Sequence, residues 1–336
     1  MNQLVKREIF AADFRDRVVH HYIYNHLSPL FEKVFINDCY SCRKGKGTHY
    51  GIKRIDHFIR SCSKNYSRDC HILKLDIKGY FMSINRNILY EKVILYNSTK
   101  IDFDIQLVTT LIKQTIFNDP TQNCKVKGLK KDWSGLPKSK SLFYAKHNCG
   151  LPIGNLTSQL FGNVYLNEFD HWVKKFLGIK YYGRYVDDFI LIHEDKSYLQ
   201  SLIEPIATYL DNELNLQLHP NKIYLQHYSK GVKYLGAVIK PHRIYIANRT
   251  KGQFYESIRR QNQVIRTSSL DIELKQKFIS SINSYLGITR HYRTYKIRRG
   301  MILEIMDKQW WKHAYFFGGF LKARLKRNSV SKYESI

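Results

Sequence analysis

The stretch "KYYGRYVDDFILIH", residues 180–193, sets two adjacent carboxylates, Asp187 and Asp188, between two apolar, aromatic-rich runs. The runs read as β-strands, and the Asp pair reads as a hairpin turn, because Asp is a common turn residue. A turn alone does not require two neighbouring like charges. Far upstream, "HILKLDIKGYF" (71–81) is a mostly buried strand marked by Ile72, Leu73, Leu75 and Ile77, and Asp76 lies at its end. A carboxylate at a strand end and a carboxylate pair in a hairpin turn can converge on one edge of a sheet. Three such groups cannot stay ionised together uncompensated. Two Mg2+ ions compensate them, and also stabilise the attacking and leaving oxygens of an in-line displacement at phosphorus.

The balance of charge agrees. The 336 residues carry 55 Lys and Arg against 28 Asp and Glu, a formal +27, which favours polyanionic partners by counterion release and steered encounter. Carboxylate ligands on a basic chain suggest nucleotidyl transfer, although a two-metal nuclease would use the same ligands. A hydrophobic content of 43% and a charged content of 25% fit a globular chain, with length for roughly two domains. No apolar run approaches ~18 residues and no amphipathic basic helix stands out, so a membrane is not expected. The N-terminus "MNQLVKREIF" lacks the apolar core of a signal peptide, which makes the cytoplasm the expected compartment. Cys39 and Cys42 form a lone CxxC with no matching partner motif, so all six cysteines are expected as reduced thiols.

Along the chain, the first ~70 residues read as helical apart from a loop at "CRKGKGTHYG" (42–51). A helical segment is expected near 86–117, then a Lys-rich loop over 123–141, then an amphipathic helix within 150–178. Residues 223–239 read as a short hairpin around Ser229–Gly231. From 249 onwards three helical patterns follow, the last over 301–327. Residues 249–336 hold 19 Lys and Arg against 6 Asp and Glu, nearly half of the net charge in a quarter of the chain. Within them "RHYRTYKIRR" (290–299) interleaves cations with Tyr292 and Tyr295, a mixture suited to phosphates and stacked bases but also to a solvated helix face.

The motifs "LDIKGYF" (75–81), "GLPIGNLTSQLFGN" (150–163), "YVDD" (185–188), "LHPNK" (218–222) and "GVKYLGAVI" (231–239) resemble, in this order, the successive motifs of reverse transcriptases. The likeness covers roughly residues 18–325. It implies an α+β right-hand polymerase fold, with fingers and a β-sheet palm in 1–248 and a basic α-helical thumb in 249–336. "IGNLTSQ" (153–159), with Ile-Gly where most bacterial relatives have Gln-Gly, resembles the reverse transcriptases of diversity-generating retroelements, as do 41–55 and 281–299. The signatures expected of a retron enzyme are not found. Other bacterial lineages (retron-like, intron-derived or phage-defence) and a catalytically silent nucleic-acid-binding protein of polymerase fold are the rival readings.

The resemblance also implies roles. Asp76, Asp187 and Asp188 would hold two Mg2+ ions, or Mn2+ as a substitute, with the carbonyl of Ile77 as a further oxygen. Lys222 matches the general acid that protonates pyrophosphate. Gly79 and Tyr80 match backbone positions that face the triphosphate, and Phe81 matches the ring that excludes a ribose 2′-OH. Arg43 and Lys46 match fingers residues that clamp the triphosphate. Ile153, Gly154 and Gln159 would line the nucleotide site. An aliphatic Ile153 cannot make the amide hydrogen bonds of a Gln there, so relaxed checking and misincorporation opposite template adenines are expected. Tyr185 and Val186 would lie beside the primer terminus, Tyr234, Leu235 and Gly236 would grip the primer, and Arg290 and Arg293 would hold the duplex. The implied partners are a template RNA and its RNA/cDNA duplex, deoxynucleoside triphosphates, and a small basic accessory protein in a ribonucleoprotein complex.

Overall fold

The computed structural model describes residues 6–97, 105–129, 133–267 and 269–326. It divides into two compact units, Met1–Tyr228 and Ser229–Ile336. Residues 130–132 of the Lys-rich loop and the end of the third helical pattern lie outside the described residues.

In the first unit the helices are α1 (Phe14–Val34), α2 (Thr48–Cys62), the single turn α3 (Tyr80–Ser83), α4 (Arg86–Asn97), α5 (Ile105–Phe117), α6 (Leu156–Tyr165), α7 (Asn167–Lys175), α8 (Lys196–Ser201) and α9 (Ile203–Leu214). The strands are β1 (His71–Asp76), β2 (Tyr181–Tyr185), β3 (Asp188–His193) and β4 (Tyr224–His227), in an antiparallel sheet of order β2-β3-β1-β4. β3 is central, and its run Phe189–Ile192 is fully buried, as a strand covered on both faces requires. α7 lies against it, with the ring of Phe169 edge-on to Phe189 at 5.4 Å between centroids. α1 docks through Ile23, Leu27 and Phe31, spaced four apart so that they share one helix face.

The second unit holds β5 (Val232–Tyr234), β6 (Ala237–Lys240) and β7 (Arg243–Ile246) as a three-stranded antiparallel sheet, then α10 (Asn248–Thr267), α11 (Ile272–Thr289), α12 (Tyr295–Gly300) and the single turn α13 (Trp310–His313). After α13 comes the hairpin β8 (Ala314–Phe317) and β9 (Lys322–Leu325). Its own core joins Phe254, Ile258 and Ile265 of α10 to Phe278, Ile282 and Leu286 of α11, with Trp310 stacked on Phe278 at 3.7 Å.

Two expectations change. Residues 223–239 do not form one hairpin around Ser229–Gly231. β4 pairs with β1, while β5 turns back onto β6 through Leu235–Gly236, because both turn residues take positive φ (48° and 83°) as a two-residue hairpin turn favours. The pattern 301–327 is not a continuous helix. Gly318, Gly319 and Phe320 all have positive φ and fold the aromatic run back as β8–β9. Asn283 of α11 fastens that hairpin, its side chain exchanging two hydrogen bonds with the backbone of Ala323. The division by compactness falls at 228/229 and the change in composition at 249; among the described residues the β5–β7 sheet between them pairs only within itself.

Candidate active site

β1 and β3 bring the two distant carboxylates together: Asp76 and Asp188 are direct cross-strand partners at the end of the ladder. Tyr185 pairs with Asp188 across β2–β3, leaving Val186 and Asp187 as a two-residue turn. The Asp187 carbonyl accepts the Ile77 N–H at 3.1 Å, which ties the turn to the residue after Asp76. All three carboxylates therefore occupy one sheet edge.

Lysines hold two of the three side chains. Lys222 Nζ donates to Asp76 Oδ1 at 2.7 Å, and Lys74 Nζ pairs with Asp188 Oδ2 at 2.9 Å. Lys74 lies two residues before Asp76 and so on the same strand face. Burial pushes the Asp187 carboxyl above the ordinary carboxylate range, and the charge of Asp76 adds to this, against Lys222 and Arg7. Burial likewise pushes Asp188 up to about 6, partly opposed by Lys74. The second oxygen of Asp188, Oδ1, is buried with no hydrogen-bond partner among the described residues.

Among the described residues no three His, Cys, Asp or Glu side chains converge tightly enough to ligate one ion. The residues nevertheless fit a divalent cation. Two ammonium groups already sit on the carboxylates as point charges, and a buried carboxylate oxygen lacks a donor. Hard oxygen donors of this kind suit Mg2+.

Around the carboxylates, Gly79 has φ 57°, and a Cβ there would stand 2.9 Å from the Ser139 carbonyl oxygen. Only glycine tolerates both conditions. Tyr80 is buried, and its hydroxyl donates to the Gly162 carbonyl. The half-buried Phe81 ring rests against Gly162, where an added Cβ would meet it at 3.3 Å. Ile153 and Gly154 form a turn on which the N-terminal segment lies: the Phe10 N–H donates to the Ile153 carbonyl at 2.8 Å, and a Gly154 Cβ would meet the Phe10 oxygen at 2.5 Å. The carboxylate of Glu8 accepts from Ser141 Oγ and Leu142 N, fastening the same segment to the end of the Lys-rich loop. Gln159 is exposed on α6.

The structure turns other expected site residues elsewhere. Arg43 gives its donors to Glu32 and to the carbonyls of Ile36 and Cys39, and its side chain is only 6% exposed. Lys46 donates to the carbonyl and side chain of Asn37 and lies over the Tyr50 ring. Both cations brace the 38–47 loop. In the second unit Tyr234 is buried, so that Leu235 and Gly236 present the turn. Arg290 and Arg293 are exposed, whereas their neighbour Arg298 is buried and bonds Thr294 and Gly319.

The sequence reading does not single out four residues at or behind this edge: Arg7, whose charge acts on Asp187, Lys74 on Asp188, and the buried pair Asp170 and Arg184. The alternation in "LKLD" places Lys74 beside Asp76, and an Arg inside a buried strand is itself a signal.

A family model described as reverse transcriptase (RNA-dependent DNA polymerase) matches residues 6–239. The chain belongs to the reverse transcriptase family. This reverse transcriptase is similar to Protein YkfC of Escherichia coli (strain K12), 24% identical over 265 residues that cover 68% of this chain and 62% of that protein. The chain thus spans less than two thirds of that relative's length. Among solved structures it is similar to apo telomerase from Candida tropicalis truncated from the C-terminal domain (TM-score 0.49, 16% identity, 68% of this chain and 45% of that one). Telomerase from Candida albicans in complex with a fragment of telomeric RNA aligns at TM-score 0.42 and 9% identity, over 88% of this chain and 55% of that one. No described helix is long and apolar enough to cross a membrane.

Proposed function

We propose that this reverse transcriptase is an RNA-directed DNA polymerase that copies the template-repeat RNA of a diversity-generating retroelement into cDNA. The observation that carries the polymerase reading is the pairing of Asp76 with Asp188, with Asp187 in the adjoining turn. Asp76, Asp187 and Asp188, with the Ile77 carbonyl, would hold two Mg2+ ions, for which Mn2+ can stand in. When bound, the ions supply charge stabilisation to the attacking and leaving oxygens.

The remaining work falls to the chain. The primer 3′-OH gives up its proton to solvent and attacks the α-phosphorus of a deoxynucleoside triphosphate, the bond to pyrophosphate breaks, and Lys222 gives a proton to the leaving oxygen. Lys222 is half-exposed and already reaches Asp76, which supports that role. Backbone groups at Gly79 and Tyr80 face the triphosphate. Phe81, braced on Gly162, crowds a 2′-OH and so selects deoxynucleotides. Ile153, without amide donors, relaxes checking of the nascent pair and admits errors at template adenines.

Tyr185 and Val186 flank the primer terminus. Leu235 and Gly236, with Tyr234 beneath, grip the primer in the thumb-side unit, and Arg290 and Arg293 hold the duplex backbone. With Arg43 and Lys46 committed to the 38–47 loop, they shape the fingers rather than clamp phosphate directly. A small basic accessory protein completes the ribonucleoprotein in the cytoplasm.

Template–primer extension with deoxy- and ribonucleotides, using Asp187→Asn as control, tests the reading. Deoxynucleotide extension lost in the variant is the expected result. If wild type and variant extend equally poorly yet bind RNA equally, the chain is a silent binder. Wild-type extension with no excess of errors at adenines would leave a polymerase of another bacterial lineage.

A further inference from the structure

Behind the carboxylate turn lies a buried ion pair that the proposed chemistry does not use. Arg184, fully buried in β2, makes a bidentate pair with Asp170 of α7: Nε to Oδ1 at 2.7 Å and Nη2 to Oδ2 at 2.6 Å. Tyr182 donates its hydroxyl to the same Asp170 Oδ1 at 2.6 Å. The third guanidinium nitrogen, Nη1, donates to the carbonyl of Val186 at 2.8 Å. Val186 is the first residue of the turn, and its φ of 58° is an outlier for a β-branched side chain. A backbone so placed is strained and persists only when its surroundings over-determine it.

We propose that Arg184, clamped by Asp170, is the positioning residue of this turn: its Nη1 holds the Val186 carbonyl and so fixes the left-handed bend that sets Asp187 beside Asp76.

The geometry needs an arginine. A planar fork can spend two nitrogens of one edge on the Asp170 carboxylate and still aim the third at a carbonyl, whereas a lysine is a single point charge. The same guanidinium also meets the Cys39 sulfur at 3.5 Å, and the Arg184 backbone exchanges hydrogen bonds with Asp38 and Tyr40. Cys39 Sγ and Ser41 Oγ both donate to Asn163 of α6. One buried polar network thus joins the 38–47 loop, α6, α7 and the carboxylate turn. Such outer partners orient first ligands, and their loss weakens metal affinity about 10–100-fold.

The inference rests on the proposed metal-holding role of the three Asp residues, so its test reads metal binding directly. Mn2+ binding to the purified full chain is followed by the electron paramagnetic resonance of the free ion, for wild type, Arg184→Lys, Asp170→Asn and Arg184→Lys/Val186→Gly. Circular dichroism selects a temperature at which each is folded. About tenfold weaker Mn2+ binding is expected in both single variants. Recovery is expected when glycine, which takes positive φ freely, replaces Val186. A purely structural ion pair would give no such recovery.

Wild-type affinity in the folded single variants, or no recovery in the double variant, overturns the proposal. If the single variants do not fold, Tyr182→Phe, which removes only one hydrogen bond from Asp170, decides: unchanged Mn2+ affinity overturns the proposal and weaker affinity supports it. A wild type that binds no Mn2+ overturns both this inference and the metal reading. A wild type that binds Mn2+ but extends no primer overturns only the polymerase.

Discussion

Asp76 and Asp188 stand directly opposite each other in the β1–β3 ladder, two like charges at a cross-strand position, each answered by a different lysine. Like charges directly opposite destabilise a sheet. The arrangement makes sense as a site that keeps carboxylates ready for a stronger cation than an ammonium. Neutralising one of them should therefore separate stability from activity. Asp188→Asn is expected to melt no lower than wild type without metal, and to lose primer extension by about 10³-fold, a few kcal/mol of transition-state stabilisation. A variant with reduced melting temperature and near-normal extension would contradict this.

Protonation should compete with the metal. Burial raises Asp188 to about 6 and raises Asp187 above its usual range. A raised carboxylate favours the folded state in its protonated form. Its contribution is thus full below the ordinary carboxylate pKa and lost as pH climbs through about 6. A divalent ion must displace that proton, so the rise in melting temperature caused by Mg2+ should grow between pH 5 and 7 and level off above. The same titration with Asp188→Asn should be flatter. A Mg2+ effect independent of pH in the wild type would rule this out.

Selection against ribonucleotides should depend on Phe81 and on what lies behind it. The ring rests on Gly162 of α6. Phe81→Ala should admit ribonucleotides, raising their kcat/KM relative to deoxynucleotides by about 10-fold or more. Gly162→Ala, whose Cβ would meet the ring at 3.3 Å, should shift the same ratio by displacing Phe81. Ratios unchanged in both variants would exclude Phe81 as the selecting ring.

Ile153→Gln should lower the error frequency at template adenines, because the amide restores donors and an acceptor beside the nascent pair. Sequencing cDNA copied from one RNA template by both proteins measures it. Equal error spectra would reduce Ile153 to a packing residue.

Glycines at two places should respond in opposite directions. A Cβ on Gly183 would stand 2.3 Å from the hydroxyl of the buried Tyr40, so Gly183→Ala should cost about 1–3 kcal/mol. Gly252, inside α10 with nothing within 4 Å of an added Cβ, should gain about 0.5–1 kcal/mol as alanine. Denaturant midpoints of the two variants give both signs.

The sequence by itself determined the local elements that carry the three carboxylates. Apolar runs on either side of Asp187–Asp188 are a local signal, and so is the strand leading to Asp76; both strands and their turn stand where that signal put them. It also determined the basic character of the last quarter and the two long helices α10 and α11. The hairpin at 314–325 escaped because an aromatic run suits a helix face as well as a strand, and the Gly318–Gly319 reversal decides only when β9 finds Asn283. Tertiary structure alone decided which cations attend the carboxylates. Arg43 and Lys46 read as phosphate ligands in a glycine-containing loop, yet Glu32 and Asn37 take them. Lys74 and Arg184, to which the resemblance assigns no role, reach their carboxylates because a strand's alternation and a helix 14 residues upstream aim them there. A charge's partner is fixed by distance and burial in three dimensions, and the order of residues along a chain encodes neither.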